Sequence, residues 1–227
     1  HNLRKFEELL ARYYRDEMPE AQRARLSPKH AGSYWVSVSQ KFYYETGSVV
    51  DHKLVEPIAP HEFPTEVALE KNYSTLGSWL EFKRGIIAVD ERMKVLIEEL
   101  DPGVHRFWPL RLIKPNGQEF PTTYQGIVIG RFLDSFLPEA TTPEAFEGGE
   151  EFYDGGGKLR KANYTIRGVR SKLKYTALVF SKEKTSGSHL WRERRMTDPQ
   201  VLISDEMKAA IDATGLKVPT HYQVKVI

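Results

Sequence analysis

Two stretches of the chain repeat one order of hydrophobic and polar positions. In residues 86–113 (IIAVDERMKVLIEELDPGVHRFWPLRLI) an apolar run leads into Asp90, an amphipathic segment, a glycine turn and an aromatic-bearing run. Residues 201–227 (VLISDEMKAAIDATGLKVPTHYQVKVI) follow the same order from Ser204. An offset of 114 places Asp90 on Ser204, Met93 on Met207, Lys94 on Lys208 and Ile97 on Ile211. Asp and Ser side chains accept hydrogen bonds from the free N–H groups of a first helical turn, so each stretch predicts a strand, capped helix, turn and strand. In the first, Met93, Leu96, Ile97 and Leu100 fall on one helical face. The second has a smaller face, Met207, Ala210 and Ile211, and Gly215 ends it.

Elsewhere the periodicity is less regular. Leu3, Phe6, Leu9, Leu10, Tyr13 and Tyr14 predict an amphipathic first helix. Residues 34–45 (YWVSVSQKFYYE) alternate and are rich in β-branched and aromatic side chains, which predicts a strand. A short strand is expected in 49–55, then a proline-bearing connector, with Trp79 and Phe82 as core anchors. In the strand over 104–113, Pro109 marks an edge or a bulge. Further strands are expected at 124–132, 162–166, 173–180 and 190–191, with 137–157 forming an exposed acidic loop. This segmentation predicts an α+β fold, an antiparallel or mixed sheet with packed helices. Residues 1–85 would form a helix and strand region and 86–227 the main α+β domain, or the two would be continuous.

Composition narrows the function. With 40% hydrophobic residues in 227 the chain can bury a sizeable core. No apolar run approaches the roughly 20 residues of a membrane-spanning helix. The first residues are charged and amphipathic, unlike a secretory signal. There is no cysteine, hence no disulfide framework, thiolate nucleophile or Cys-based zinc site. A cytoplasmic protein without membrane attachment is expected.

The net charge of +2 hides an asymmetry: residues 155–195 carry twelve lysines and arginines against Glu183 and Glu193, a net +10 that leaves −8 for the rest. Such separation can steer a charged partner. The acidic loop offers Glu147, Glu150, Glu151 and Asp154 as a contact surface, and the basic segment offers Arg160, Arg167, Arg170, Arg192 and Arg194. The cations also allow a nucleic-acid reading, because Lys158, Arg160, Lys161, Arg167, Arg170, Lys172 and Lys174 are interleaved with Tyr164 and Tyr175.

Catalytic patterns are weak. Gly155-Gly156-Gly157-Lys158 has no hydroxyl after the lysine to complete a P-loop. Ser78 and Ser188 lie outside a nucleophile elbow. The seven histidines lack metal-ligand spacing. No catalytic, cofactor-binding or metal-binding residue is assigned, and a hydrolase or transferase stands as the remaining alternative.

Residues 88–94 (AVDERMK) with the helix after them, then 102–110 (PGVHRFWPL), resemble the central segment of immunity protein family eleven from bacterial polymorphic toxin systems. Tyr124 with the strand after it and Asp134-Ser135 resemble that family's next block. Leu190-Trp191-Arg192 and 202–207 (LISDEM) resemble its closing block. Asp90 stands where a Ser-Glu start is more usual. The resemblance implies an α+β protein that binds and neutralises a cognate toxin by direct contact, without cofactor or catalysis. It identifies neither the toxin nor the contact surface.

Overall fold

The computed structural model describes residues 3–26, 34–50, 53–153, 159–161, 163–167, 175–197 and 199–227. The side chains of Lys53, of Phe152 and Tyr153, and of 159–161 are outside that description. The fold is α+β, with helices and a curled mixed sheet. The chain divides into two compact units. The first comprises residues 1–130 and 208–219, the second 131–207 and 220–227. The first unit therefore takes in residues on both sides of position 85.

The sheet of the first unit is built from β3 (Glu66–Ala68), β4 (Trp79–Glu81), β5 (Ile87–Asp90), β6 (Arg106–Ile113) and β7 (Tyr124–Val128), in the order β3-β6-β7-β5-β4. Only β3 and β6 run parallel. Pro109 is opposite Gln125 of β7, whereas β3 engages β6 from Arg111 onward. At Pro109 the strand is thus an edge on one side, where a missing N–H costs no ladder bond. Gly126 of β7 faces Trp108, and a Cβ at that position would run into the indole. The indole N–H donates to the Pro64 carbonyl at 2.7 Å.

Helices α1 (Arg4–Arg12), α2 (Glu20–Arg23), α3 (Tyr34–Tyr43) and α4 (Glu91–Leu100) belong to this unit, as does a hairpin of β1 (Val49–Val50) and β2 (Lys53–Leu54). The π-helical turn Tyr13–Glu17 prolongs α1. Phe6 and Leu10 of α1 are buried, while Leu9 is exposed. Trp79 and Phe82 are both buried, as expected of anchors.

Residues 34–43 correct the expected strand: they form a helix. Tyr34, Val38 and Phe42 are buried at i, i+4 and i+8, so the apolar stripe has helical period. The Val-Ser-Val-Ser alternation is a propensity signal that tertiary packing overrides. This helix packs on α1, and Phe42 meets Trp108 at 5.8 Å between ring centres.

The second unit holds a three-stranded mixed sheet, β15-β14-β8, from β8 (Phe132–Leu133), β14 (Leu190–Glu193) and β15 (Val201–Ile203). Strand β13 (Val179–Phe180) pairs in parallel with β16 (Lys225–Val226). A short helix, α5 (Lys182–Thr185), lies between β13 and β14 in sequence. The last helix, α6 (Asp205–Thr214), crosses the unit boundary after Met207.

The sequence echo is real in its first half. Asp90 accepts from the Met93 N–H at 2.9 Å, and the Ser204 hydroxyl oxygen accepts from the Met207 N–H at 3.0 Å. Met93, Met207, Ile97 and Ile211 are all buried. Gly103 and Gly215 both take positive φ, 68° and 64°, after their helices. The second halves differ. Strand β6 has eight residues between two neighbours, whereas β16 has two, and His105 is buried while His221 is exposed. The unbroken apolar alternation of β6 has no counterpart in 216–224, where Pro219 and polar residues interrupt it.

Candidate partner-binding surface

The expected acidic loop is largely an ordered ribbon. Strand β9 (Phe146–Gly148) pairs antiparallel with β12 (Tyr164–Ile166), and β10 (Glu151–Tyr153) with β11 (Leu159–Lys161). Gly148 opposes Tyr164 and Glu151 opposes Lys161, so the two pairs keep one register across the interruption between them. Gly148 and Gly149 have φ of 93° and 83°. A Cβ on Gly149 would enter the Tyr164 ring, so that ring crosses the ribbon only because glycine is there.

This pairing brings acid and base together. Glu147 accepts from the Arg167 guanidinium at 3.0 Å, in an exposed ion pair. Glu150 and Glu151 are exposed on the same ribbon, and the Arg160 backbone lies in β11 opposite Phe152. Asp154 and Arg170, and the side chain of Arg160, lie outside the described residues. An exposed ion pair contributes roughly 0–1 kcal/mol to the fold, so the arrangement leaves the charges solvated. The local field alternates in sign where Glu147 meets Arg167.

The two remaining candidates are placed differently. Arg194 is exposed, and its guanidinium donates to the Phe132 carbonyl at 3.1 Å. Arg192 is buried in β14, where it donates to the Pro199 carbonyl. It is buried, not displayed on the ribbon.

An aromatic cluster holds the ribbon base. Phe136 lies 5.1 Å from Tyr164 and 5.4 Å from Phe146, and Arg195 stacks over Tyr164 at 4.7 Å. Tyr164 is therefore core and is withheld from base stacking. Tyr175 stacks on Tyr222 with ring centres 5.2 Å apart. Both tyrosines of the nucleic-acid reading are thus engaged within the unit. Lys158, Lys172 and Lys174, and the Lys161 side chain, lie outside the described residues.

A serine, a histidine and a carboxylate do converge at the start of α6. The Ser204 hydroxyl is 2.9 Å from His189 Nδ1, and Glu206 lies 3.7 Å from that same nitrogen. A charge-relay arrangement needs the serine on one ring nitrogen and the acid on the other. Here both meet Nδ1, and the serine oxygen already accepts the Met207 N–H as a helix cap. The grouping caps and braces the helix.

Two buried ionic sites escaped sequence reading. Glu62 is fully buried, and Lys41 reaches both its oxygens at 2.7 Å. The Tyr34 hydroxyl and the Ala59 N–H also donate to it, and His61 stands 3.0 Å from the same hydroxyl. Burial, then the bond to Glu62, pushes the Tyr34 phenol above its ordinary range, so it stays a donor. In the second unit, one Glu193 oxygen accepts from the Ser135 N–H, the Ser135 hydroxyl and the Phe136 N–H at 2.7–3.1 Å. Burial raises the Glu193 carboxyl above the usual carboxylate range, and the Ser135 hydrogen bonds oppose it. The sequence carries no local signal for either: Glu62 stands in a proline-bearing connector and its partner Lys41 is 21 residues away.

Among the described residues no helix is long and apolar enough to cross a membrane. What the fold and these sites define is an α+β protein in which Glu62 and Glu193 are buried and held by internal hydrogen bonds, and whose ribbon carries exposed charge of both signs. The chain belongs to the immunity protein family (Imm11), whose family profile matches residues 13–225. No curated protein matched the chain.

Proposed function

We propose that this protein binds and neutralises a bacterial toxin by direct protein–protein contact, in the cytoplasm of the cell that makes both and without catalysis of its own. The observation that carries the reading is the family match across residues 13–225. The charged ribbon supports it. Exposed charges of both signs, held in fixed register, suit a complementary partner surface: rim charges accelerate capture and suppress wrong partners, while a few central anchors set the affinity. Glu147, Glu150, Glu151, Asp154, Arg160, Arg167, Arg170 and Arg194 are the proposed contact set. Arg192, buried in β14, is left out of that set.

The test purifies the product of the reading frame adjacent to this gene, titrates it into this protein by calorimetry and follows the association rate by stopped-flow fluorescence. A saturable complex is expected. Joint charge reversal at Glu147, Glu150 and Glu151 should slow association and reduce its salt dependence. Unchanged kinetics in that variant would remove the ribbon from the interface, and no complex with the wild type would refute the reading itself.

A further inference from the structure

The tight turn between β4 and β5 holds a second feature that the ribbon does not explain. Phe82 donates its N–H to the Ile86 carbonyl at 2.8 Å, leaving Lys83, Arg84 and Gly85 as the turn. Arg84 sits at φ 71°, ψ 31°, and is the one positive-φ residue other than glycine among the described residues. The left-handed region is strained for an L side chain, and glycine occupies it freely. The next position shows the backbone's own preference. Gly85 also takes positive φ, 76°, and a Cβ there would meet the Tyr43 ring at 2.7 Å. Glycine at 84 would relax the turn, yet the residue there is arginine.

What the strain sustains is an unusual placement of the guanidinium. Its central carbon lies 3.6 Å from the ring centre of Trp35 on α3. The stacked face is thus occupied, while the planar edge, with its N–H donors, points elsewhere. Among the described residues no carboxylate pairs with that edge. Glu7 lines the same small cleft but forms no ion pair with Arg84. An arginine stacked on tryptophan loses less side-chain freedom when its edge is engaged, and it presents a fork that matches a carboxylate in two parallel hydrogen bonds. Strain retained at one side chain, at the expense of the fold, is a mark of function. Tryptophan and arginine are also the residue types that dominate protein–protein affinity. A single fork beside an apolar cleft fits an acidic side chain on a protein. A nucleic acid would call for several cations along a phosphate track.

We propose that Arg84, braced by Trp35, is an anchor that grips a carboxylate on the partner protein. This rests on the immunity reading and adds the point of contact. The experiment is calorimetric titration of the product of the adjacent reading frame into wild type, Arg84→Gly and Arg84→Lys, with thermal unfolding of each alone. Arg84→Gly should raise the unfolding temperature by about 2–4 °C by releasing the turn, yet bind at least about tenfold more weakly. Arg84→Lys keeps the charge without the fork and should also bind at least about tenfold more weakly. If the wild type binds and both variants match it within threefold, Arg84 is no anchor and the immunity reading survives. Should the wild type fail to bind, both proposals fall together.

Discussion

Replacing Glu62 with glutamine removes the anion from a buried ion pair of the first unit. Lys41 then keeps a charge in a side chain only 10% exposed, beside a partner that is 0% exposed. Breaking one side of a buried pair costs about 3–5 kcal/mol, because the remaining charge is left uncompensated. Two features select the lower end of that range. Lys41 also donates to the Pro57 carbonyl at 3.3 Å, and glutamine retains one oxygen for Tyr34 or Ala59. The expected loss is about 3 kcal/mol, which at a urea slope of about 2 kcal/mol per molar moves the midpoint down by roughly 1.5 M. Trp35, Trp79 and Trp108 lie in this unit, so tryptophan fluorescence reports it directly. The double variant Lys41→Met with Glu62→Gln removes both charges and should lose less than the two single variants added together, by about 2 kcal/mol. A midpoint shift below about 0.5 M for Glu62→Gln, or strict additivity in the cycle, would refute this account of the site.

Other consequences are open to simpler measurements. Because burial raises the Glu193 carboxyl, its protonated form favours the fold. Its stabilising contribution is full below about pH 4.3 and is lost as pH rises through the folded value. Glu193→Gln should therefore gain on wild type in unfolding temperature between pH 4 and pH 8, and a constant difference would contradict the assignment. Gly126→Ala forces a methyl group against Trp108 and should cost about 1–3 kcal/mol in urea unfolding. Asp90→Ala and Ser204→Ala each remove a helix cap and should cost about 1 kcal/mol in the same assay.

The capped helices were legible because their signals are local: a cap residue, an apolar stripe of period 3.6 and a terminal glycine all lie within one stretch of chain. The sheet around Trp108 was partly legible, and Pro109 correctly announced a local edge. Residues 34–43 misled because β-branched and aromatic side chains mimic alternation, although Tyr34, Val38 and Phe42 already stood at helical spacing. The ribbon was hidden for a different reason. Its glycines look like loop punctuation, and only the facing strand explains them: Gly149 makes room for Tyr164, fifteen residues later in the chain. The Glu62 and Glu193 sites depend on pairings 21 and 58 residues apart, which no local pattern encodes. Arg84 gave no sign of its role either, since a left-handed arginine is a property of the backbone and not of the letters around it.

Neutralisation is tested most directly by survival. The reading frame adjacent to this gene, induced alone in a sensitive bacterial host, should arrest growth, and co-expression of this protein should restore it. Restored growth with a co-purifying complex is the predicted result. Arrest that persists while this protein accumulates in folded form would contradict the account.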